Sequence, residues 1–494
     1  MTAPTLAAEP RMLIDGQLVE ASGRATFPNL NPATEEVLGE VADGTKADAH
    51  RAIAAARAAF DRSGWAEDRE LRKHCLAQLQ AALEDEREAL REQLIAEVGC
   101  PRQLTHGPQL DLPLADALRY PASLIDTFPW TQPLPDAVDV MGQMNTREVW
   151  KEPVGVVGAI VPWNFPFEVT LNKLGQILAT GNTVVLKPAP DTPWNATFLG
   201  RVIAERTDIP AGVVNVVTSS DHLVGEELTL SPDVDLISFT GSTRVGQRIM
   251  ERGAATLKRV FLELGGKSAT IVLDDADLTS AVLNGLGVCY HAGQGCVIQT
   301  RMLLPRSRYD EGVEILASFM SSMPFGDPQR EDVIMGPVIS QAQRDRVLGY
   351  VRTGIAEGAR LVCGGKASPD HPRGWFVEPT LFADVDNAMT IAQEEIFGPV
   401  LVVIPFDDDD DAVRIANDNR YGLAGGVHSG SMERALGVAH RIRAGSIGVN
   451  GGVPFGPDAP FGGYKLSGLG RQNGIEGFEQ YLETKAVGWP AGGT

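Results

Sequence analysis

The chain has no C-x-x-C pair, and its five cysteines (Cys75, Cys100, Cys289, Cys296, Cys363) are odd in number and scattered through 494 residues. That pattern excludes a paired-cysteine zinc site and a secreted disulfide framework, and it predicts reduced thiols in a cytoplasmic setting. The eight histidines show no metal-ligand spacing either, so no metal is expected. Long apolar runs are missing. The most apolar stretch, "VGVVGAIVPW" at 154–163, is roughly half the length that crosses a bilayer. The opening "MTAPTLAAEPR" lacks the basic start and apolar stretch of a signal peptide. Positive charge is scarce: 43 Lys and Arg against 64 Asp and Glu leave a net charge of -21. Such a surface repels phosphate backbones, and no local basic patch offsets it, so the expected partners are small molecules, not nucleic acid or membrane.

What is present is a turn-rich globular composition, with 43% hydrophobic residues and 53 glycines, in a chain long enough for two or three units. "RMLIDGQLVEAS" predicts a hairpin at 12–21, and residues 46–60 and 68–98 carry apolar positions at helical spacing. Residues 121–147 are Pro-rich and then alternating, which suits an extended excursion. From 154 onward, short apolar strands ("GVVGAIVPW", "NTVVLKPAP", "VVNVVTS", "DLISFTGS", "RVFLELGG") alternate with helical stretches. This is the pattern of parallel strands with crossover helices. A second set follows, with "SATIVLDD", "RMLLPR", "PVLVVIPF" and "SIGVNG" as strands. The reading is α/β, with two doubly wound lobes and chemistry between them. The acidic run Asp407–Asp411 reads as a helix N-terminus with its carboxylates on the free N–H groups, not as a cation site.

Four stretches carry residues suited to chemistry. "FLELGGKSAT" at 261–270 places Glu263 at a strand end before two glycines; a phosphate-binding loop is excluded because position 261 is Phe where that loop needs Gly. "YHAGQGCVIQTR" sets Cys296 among glycines, where a thiol is reachable, although an inert core cysteine fits this stretch equally well. "IVPWNFPFEVT" leaves Asn164 after a strand, able to donate to an oxyanion or simply to cap a turn. "ISFTGSTRVG" puts Gly241, Ser242 and Gly246 at a strand-to-helix turn, a candidate phosphate cradle that lacks the full G-x-G-x-x-G.

Taken in order, PWNFP, VVLKP, FTGSTRVG, LELGGKS, GQGC, EEIFGP and PFGGYKLSG resemble the aldehyde dehydrogenase superfamily over residues 12 to 488. The resemblance implies an NAD(P)-binding domain (1–120 and 148–262), a catalytic domain (263–465) and an oligomerisation segment (121–147 and 478–494) in a homodimer or homotetramer. It implies Cys296 as nucleophile, Glu263 as general base and Asn164 as oxyanion donor together with the Cys296 backbone N–H. Lys187 and Glu395 would contact the riboses, Ser242 the pyrophosphate beside Gly241 and Gly246, and Trp163 and Phe397 the cofactor cleft. Phe167, Tyr290, Val297 and Phe455 would border the aldehyde channel, with Glu168 as a possible polar contact.

The implied activity is oxidation of an aldehyde to the free acid with hydride passing to NAD(P), through a cysteine thiohemiacetal and thioester. A cysteine is required because hydride leaves poorly from an aldehyde but readily from the tetrahedral alkoxide that a thiolate creates. Three residues depart from the family pattern. Pro190 stands where NAD-preferring members often carry a glutamate, which leaves NADP open beside NAD. Gln472 replaces the glutamate of the usual G-R-E. Gly295 precedes the nucleophile where bulkier residues often sit and hints at a roomier channel. A cysteine hydrolase built on Cys296 and His291 is the rival from another class; it lacks an orienting third group and leaves the cofactor motifs idle. A CoA-acylating or phosphorylating relative is disfavoured because Glu263 is retained.

Overall fold

The computed structural model describes residue 6 and residues 8–492, so the signal-peptide reading of the first residues lies largely outside the described residues. Strands Val156–Ile160, Thr183–Lys187, Val214–Val216, Leu236–Thr240 and Arg259–Glu263 form the parallel centre of an eight-stranded sheet. Their side chains are buried on both faces, among them Val156, Val157, Val184, Val185, Leu236 and Ile237. This is why they read as continuous apolar runs and not as alternating ones. From 156–160 the chain steps outward through 183–187 to 214–216, then returns to the opposite flank for 236–240 and 259–263. That reversal opens a crevice at the carboxyl ends of 156–160 and 236–240, the place where open α/β sheets bind ligands. The expected hairpin, Met12–Ile14 with Gln17–Val19, extends one edge, and Gly468–Leu469 extends the other.

The second lobe is a seven-stranded sheet in the order Arg360–Cys363, Thr380–Ala383, Val400–Phe406, Gln299–Pro305, Ser268–Val272, Ala424–His428, Ser446–Val449. Each of the two large sheets has its own apolar core. Strand Ala424–His428 escapes sequence reading because its centre is Gly425-Gly426. A Cβ on Gly426 would lie 2.8 Å from the Gln299 side chain, so packing between strands selects glycine where propensity disfavours it.

Helix Lys46–Arg62 begins at a capping box between Thr45 and Asp48 and buries Ala49, Ala52, Ile53, Ala56 and Ala59 on one face. The periodic stretch 68–98 is two helices, Arg69–Asp85 and Arg87–Val98, broken at Glu86. Leu76, Leu79 and Leu83 on the first, and Leu90 and Leu94 on the second, are buried in one core, so the apolar pattern runs through the break.

The excursion is a three-stranded antiparallel sheet of Thr131–Val138, Met144–Pro153 and Leu482–Pro490. It starts later than residue 121 and continues past 147. Residues Arg119–Thr127 are helical, with Pro121 in the first turn, where a missing N–H costs little. The acidic run caps as expected: Asp408 accepts from the Asp411 N–H at the start of helix Asp409–Asn417. Among the described residues no helix is long and apolar enough to cross a membrane.

Candidate active site

Parallel register brings the sequence-flagged residues to one rim. Thr240 pairs with Glu263, and Ile160 pairs with Lys187. Trp163 and Asn164, Lys187, Gly241 and Ser242, and Glu263 therefore all follow or end strands at the same edge of the sheet. Strand ends are the rigid part of such a fold, and the loops leaving them carry the chemistry.

Asn164 is 6% exposed and donates from Nδ2 to the Gln294 carbonyl at 2.8 Å, two residues before Cys296. Its backbone carbonyl accepts from Gln109 Nε2 at 2.8 Å, which holds the chain at this residue. The loop carrying the thiol is bent by three successive left-handed residues, His291, Ala292 and Gly293. Such a conformation costs a non-glycine residue roughly 1–2 kcal/mol. Only glycine fits the third position, because a Cβ on Gly293 would collide with the Gly398 carbonyl. Gln294 locks the bend by donating to the His291 carbonyl at 3.0 Å and accepting from the Ile339 N–H at 2.8 Å.

Cys296 is half-buried. Burial, and then the carboxylates of Glu263, Glu395 and Glu168, push its thiol far up, so the resting side chain is protonated. His291 is buried with neither ring nitrogen hydrogen-bonded, and burial lowers it to about 4. A neutral, unpartnered imidazole supplies no orienting bond to a nucleophile, which removes the support for the hydrolase alternative.

Glu263 is 4% exposed, and neither carboxylate oxygen has a hydrogen-bond partner. Burial raises it well above the usual carboxylate range, opposed by the positive charges of Lys173 and Arg471. Its carboxylate rests against Gly462: a Cβ there would stand 2.6 Å from Oε1. Lys173 was missed in the sequence. It lies on the buried side of helix Pro166–Ala179, donates to Ser238 Oγ at 2.9 Å, and sits 4.7 Å from the Phe261 ring centre. Tyr481 OH meets the same Ser238 oxygen at 2.9 Å. Burial lowers Lys173 to about 7 against the pull of Glu263. The available signal was a lone lysine at a core position of an otherwise apolar helical stretch.

On the cofactor side, Lys187 is 6% exposed, with the Pro188 carbonyl at 3.2 Å as its partner, and burial brings it down to about 8. Its remaining N–H donors fit hydroxyl or phosphate oxygens. Ser242 is exposed at the N-cap of helix Thr243–Gly253, where free N–H groups favour an anion. Glu395 accepts from the Gly266 N–H at 2.9 Å and is raised by burial to about 7. Trp163 and Phe397 meet edge to face at 5.3 Å. A ribose-bearing diphosphate fits this set: two half-buried aromatic side chains, a buried amine with spare donors, a carboxylate and a helix N-terminus. Gly246 does not join it; the residue is buried, and a Cβ there would strike Leu264 at 2.7 Å, so its smallness serves helix-on-strand packing.

Of the channel candidates, Tyr290 is 51% exposed, Phe455 is 45% exposed and meets Phe461 at 5.9 Å, and Val297 is half-buried. Phe167 is different: it is 1% exposed and packed in the core of the first lobe, because helix Pro166–Ala179 turns it inward. The room expected beside Gly295 is filled by Ile298, whose Cδ1 lies 2.9 Å from where a Cβ would stand. Gln472 meets the Asn172 carbonyl at 2.9 Å and the Gln176 amide at 2.8 Å, tying the C-terminal motif to the helix behind Asn164.

A model of the aldehyde dehydrogenase family matches residues 18–487. A 3-succinoylsemialdehyde-pyridine dehydrogenase of a Pseudomonas species is 43% identical over 477 residues, 96% of this chain and 97% of that protein. The crystal structure of a Mycobacterium tuberculosis aldehyde dehydrogenase complexed with NAD+ superimposes with a TM-score of 0.94 at 43% identity, covering 99% of this chain and 100% of that one. Betaine aldehyde dehydrogenase from Staphylococcus aureus in complex with NAD+ gives a TM-score of 0.94 at 35% identity, covering 99% and 96%.

Proposed function

The chain belongs to the aldehyde dehydrogenase family and oxidises an aldehyde to the carboxylic acid, and from that premise we propose that Cys296, Asn164 and Glu263 carry the reaction. The single observation behind this assignment is that one sheet edge gathers Asn164 and Glu263 beside the bent loop of Cys296.

The resting thiol is protonated, so its proton must leave as the aldehyde arrives. That proton passes to solvent, and Glu263, itself of raised pKa, is kept as the base for the later attack of water. The sulfur then bonds to the carbonyl carbon, and the C=O electron pair moves onto oxygen. Asn164 Nδ2 and the Cys296 backbone N–H stabilise that oxyanion; losing one such donor typically costs about 3 kcal/mol. Bound NAD, the cofactor of the related crystal structures, supplies the acceptor for the hydride that the alkoxide expels. Lys187, Glu395, Ser242, Trp163 and Phe397 would hold it. What remains on Cys296 is a thioester. Water attacks its carbon, Glu263 takes the water proton, and as the C–S bond breaks Glu263 returns that proton to the leaving sulfur, releasing the acid and regenerating the thiol.

Pro190 stands where a glutamate would repel a 2′-phosphate, so some NADP turnover beside NAD is part of this reading. The exposed three-stranded sheet, with Leu134, Val138, Met144 and Trp150 open, suits assembly as a homodimer or homotetramer, and five free cysteines suit a cytoplasmic setting. The test is Cys296→Ala: NADH formation from a panel of short, long-chain and aromatic aldehydes should vanish while NAD binding, read by tryptophan fluorescence, persists. Retained turnover would overturn the assignment.

A further inference from the structure

Helix Pro166–Ala179 is buried along its whole length except at Glu168, Val169 and Asn172. Positions i, i+1 and i+4 lie on one face, so the helix presents a single open stripe. The stripe starts beside the nucleophile. Phe165, directly before the helix, has its ring 3.7 Å from where a Cβ on Gly295 would stand and meets His291 edge to face at 5.4 Å. It ends at Asn172, whose carbonyl holds Gln472, which pairs with Phe461 through backbone hydrogen bonds. Phe461 in turn packs on Phe455. The stripe thus runs from beside the nucleophile's loop toward the two phenylalanines, one of which, Phe455, the family resemblance sets at the aldehyde channel.

The polar group in the middle of that wall is Glu168. Among the described residues its carboxylate makes no hydrogen bond and no ion pair. It stands in the first turn of the helix, yet it accepts no capping N–H. Burial alone pushes it up to about 7, and its charge acts on Cys296 together with those of Glu263 and Glu395. An unpartnered carboxylate in a recess is costly to hold in the charged form unless something that binds there pairs with it. No described residue does so.

We propose that Glu168 selects the substrate: the channel takes aldehydes that carry a cationic ammonium group a short distance from the carbonyl, with Glu168 as counter-charge. The inference rests on the dehydrogenase reading above and refines it. An ammonium seated there meets a half-buried carboxylate that has no competing partner among the described residues. The negative field of three carboxylates around the thiol works in the same direction: it favours a cation over a neutral aldehyde and disfavours an anionic one.

The experiment compares a trimethylammonio aldehyde with its uncharged tert-butyl isostere and with a carboxylate-bearing aldehyde of similar length, all with NAD at pH 8, above the raised value of Glu168. A short straight-chain aldehyde is assayed alongside. A close charge pair with a quaternary ammonium, which has no N–H to donate, predicts a kcat/KM ratio, cation over isostere, on the order of tenfold to a hundredfold. In Glu168→Gln the ratio should fall to near one, and in Glu168→Asp part of it should survive; a ratio is read because general damage cancels from it. A wild-type ratio near one, a ratio untouched by Glu168→Gln, or turnover of the straight-chain aldehyde without either isostere would overturn the proposal. Failure to oxidise any aldehyde would instead remove the dehydrogenase reading on which it stands.

Discussion

Gly462→Ala tests whether the seat of the base matters. A Cβ at this position would stand 2.6 Å from Glu263 Oε1, 2.7 Å from the Gly470 carbonyl oxygen and 3.0 Å from Arg471 Cδ. The backbone carbonyl yields least, so the carboxylate is what moves. Opening 2.6 Å to the 3.0–3.4 Å of a tight real contact displaces it by about 0.4–0.8 Å. Overpacking of this kind costs folding about 1–3 kcal/mol, which a protein with two large cores tolerates. Catalysis is less forgiving, since a misplacement near 1 Å can cost about a hundredfold. The displaced group acts after the thioester forms, so the loss should fall on hydrolysis. Rapid mixing of enzyme, NAD and aldehyde should show a first-turnover burst of NADH close to wild type, then a steady rate lower by roughly tenfold to a hundredfold. Intact-mass spectrometry should find the acyl group on Cys296. If burst and steady rate decline together, or the steady rate is unchanged, the reasoning about this seat is wrong.

Two further perturbations probe the surroundings. Lys173→Met removes a positive charge that lowers the pKa of Glu263, so that pKa climbs further. A group that works as a carboxylate is lost as pH falls through its pKa, and the acid limb of the kcat profile should therefore move to higher pH; a shift the other way contradicts the coupling. Arg301 is 2% exposed and donates to the carbonyls of Lys267, Ile415 and Ala416 and to Asn387 Oδ1, all at 2.9–3.0 Å. Arg301→Met strands these buried acceptors and should lower stability by about 3–5 kcal/mol; an unchanged urea midpoint would show that the bonds contribute little.

Much of this architecture was legible in the sequence because fully buried parallel strands are continuous apolar runs, and 156–160, 183–187, 236–240 and 259–263 each have that form. The strand 424–428 was hidden since its glycines answer to neighbours distant in the chain. The same limit applies at the site. Cys296, Asn164 and Glu263 sit in short motifs that can be read locally, whereas the seat of Glu263 at Gly462 and the link from Lys173 through Ser238 to Tyr481 join segments hundreds of residues apart. Phe167 misled because its motif neighbour Asn164 faces the cleft while the intervening turn sends Phe167 to the interior. Glu168, one residue further on, is the part of that helix left open.

Strand Leu482–Pro490 pairs along its length with Met144–Pro153, and the Lys151 side chain reaches Thr484, 333 positions later. On a ribosome, the hairpin around residue 144 must wait for residues 482–490 before its open edge is covered. Tyr481 emerges in that same last segment and completes the hydroxyl chain to Lys173. Nascent molecules therefore keep a sticky edge open, and lack the hydroxyl link to Lys173, until residues 481–490 have emerged.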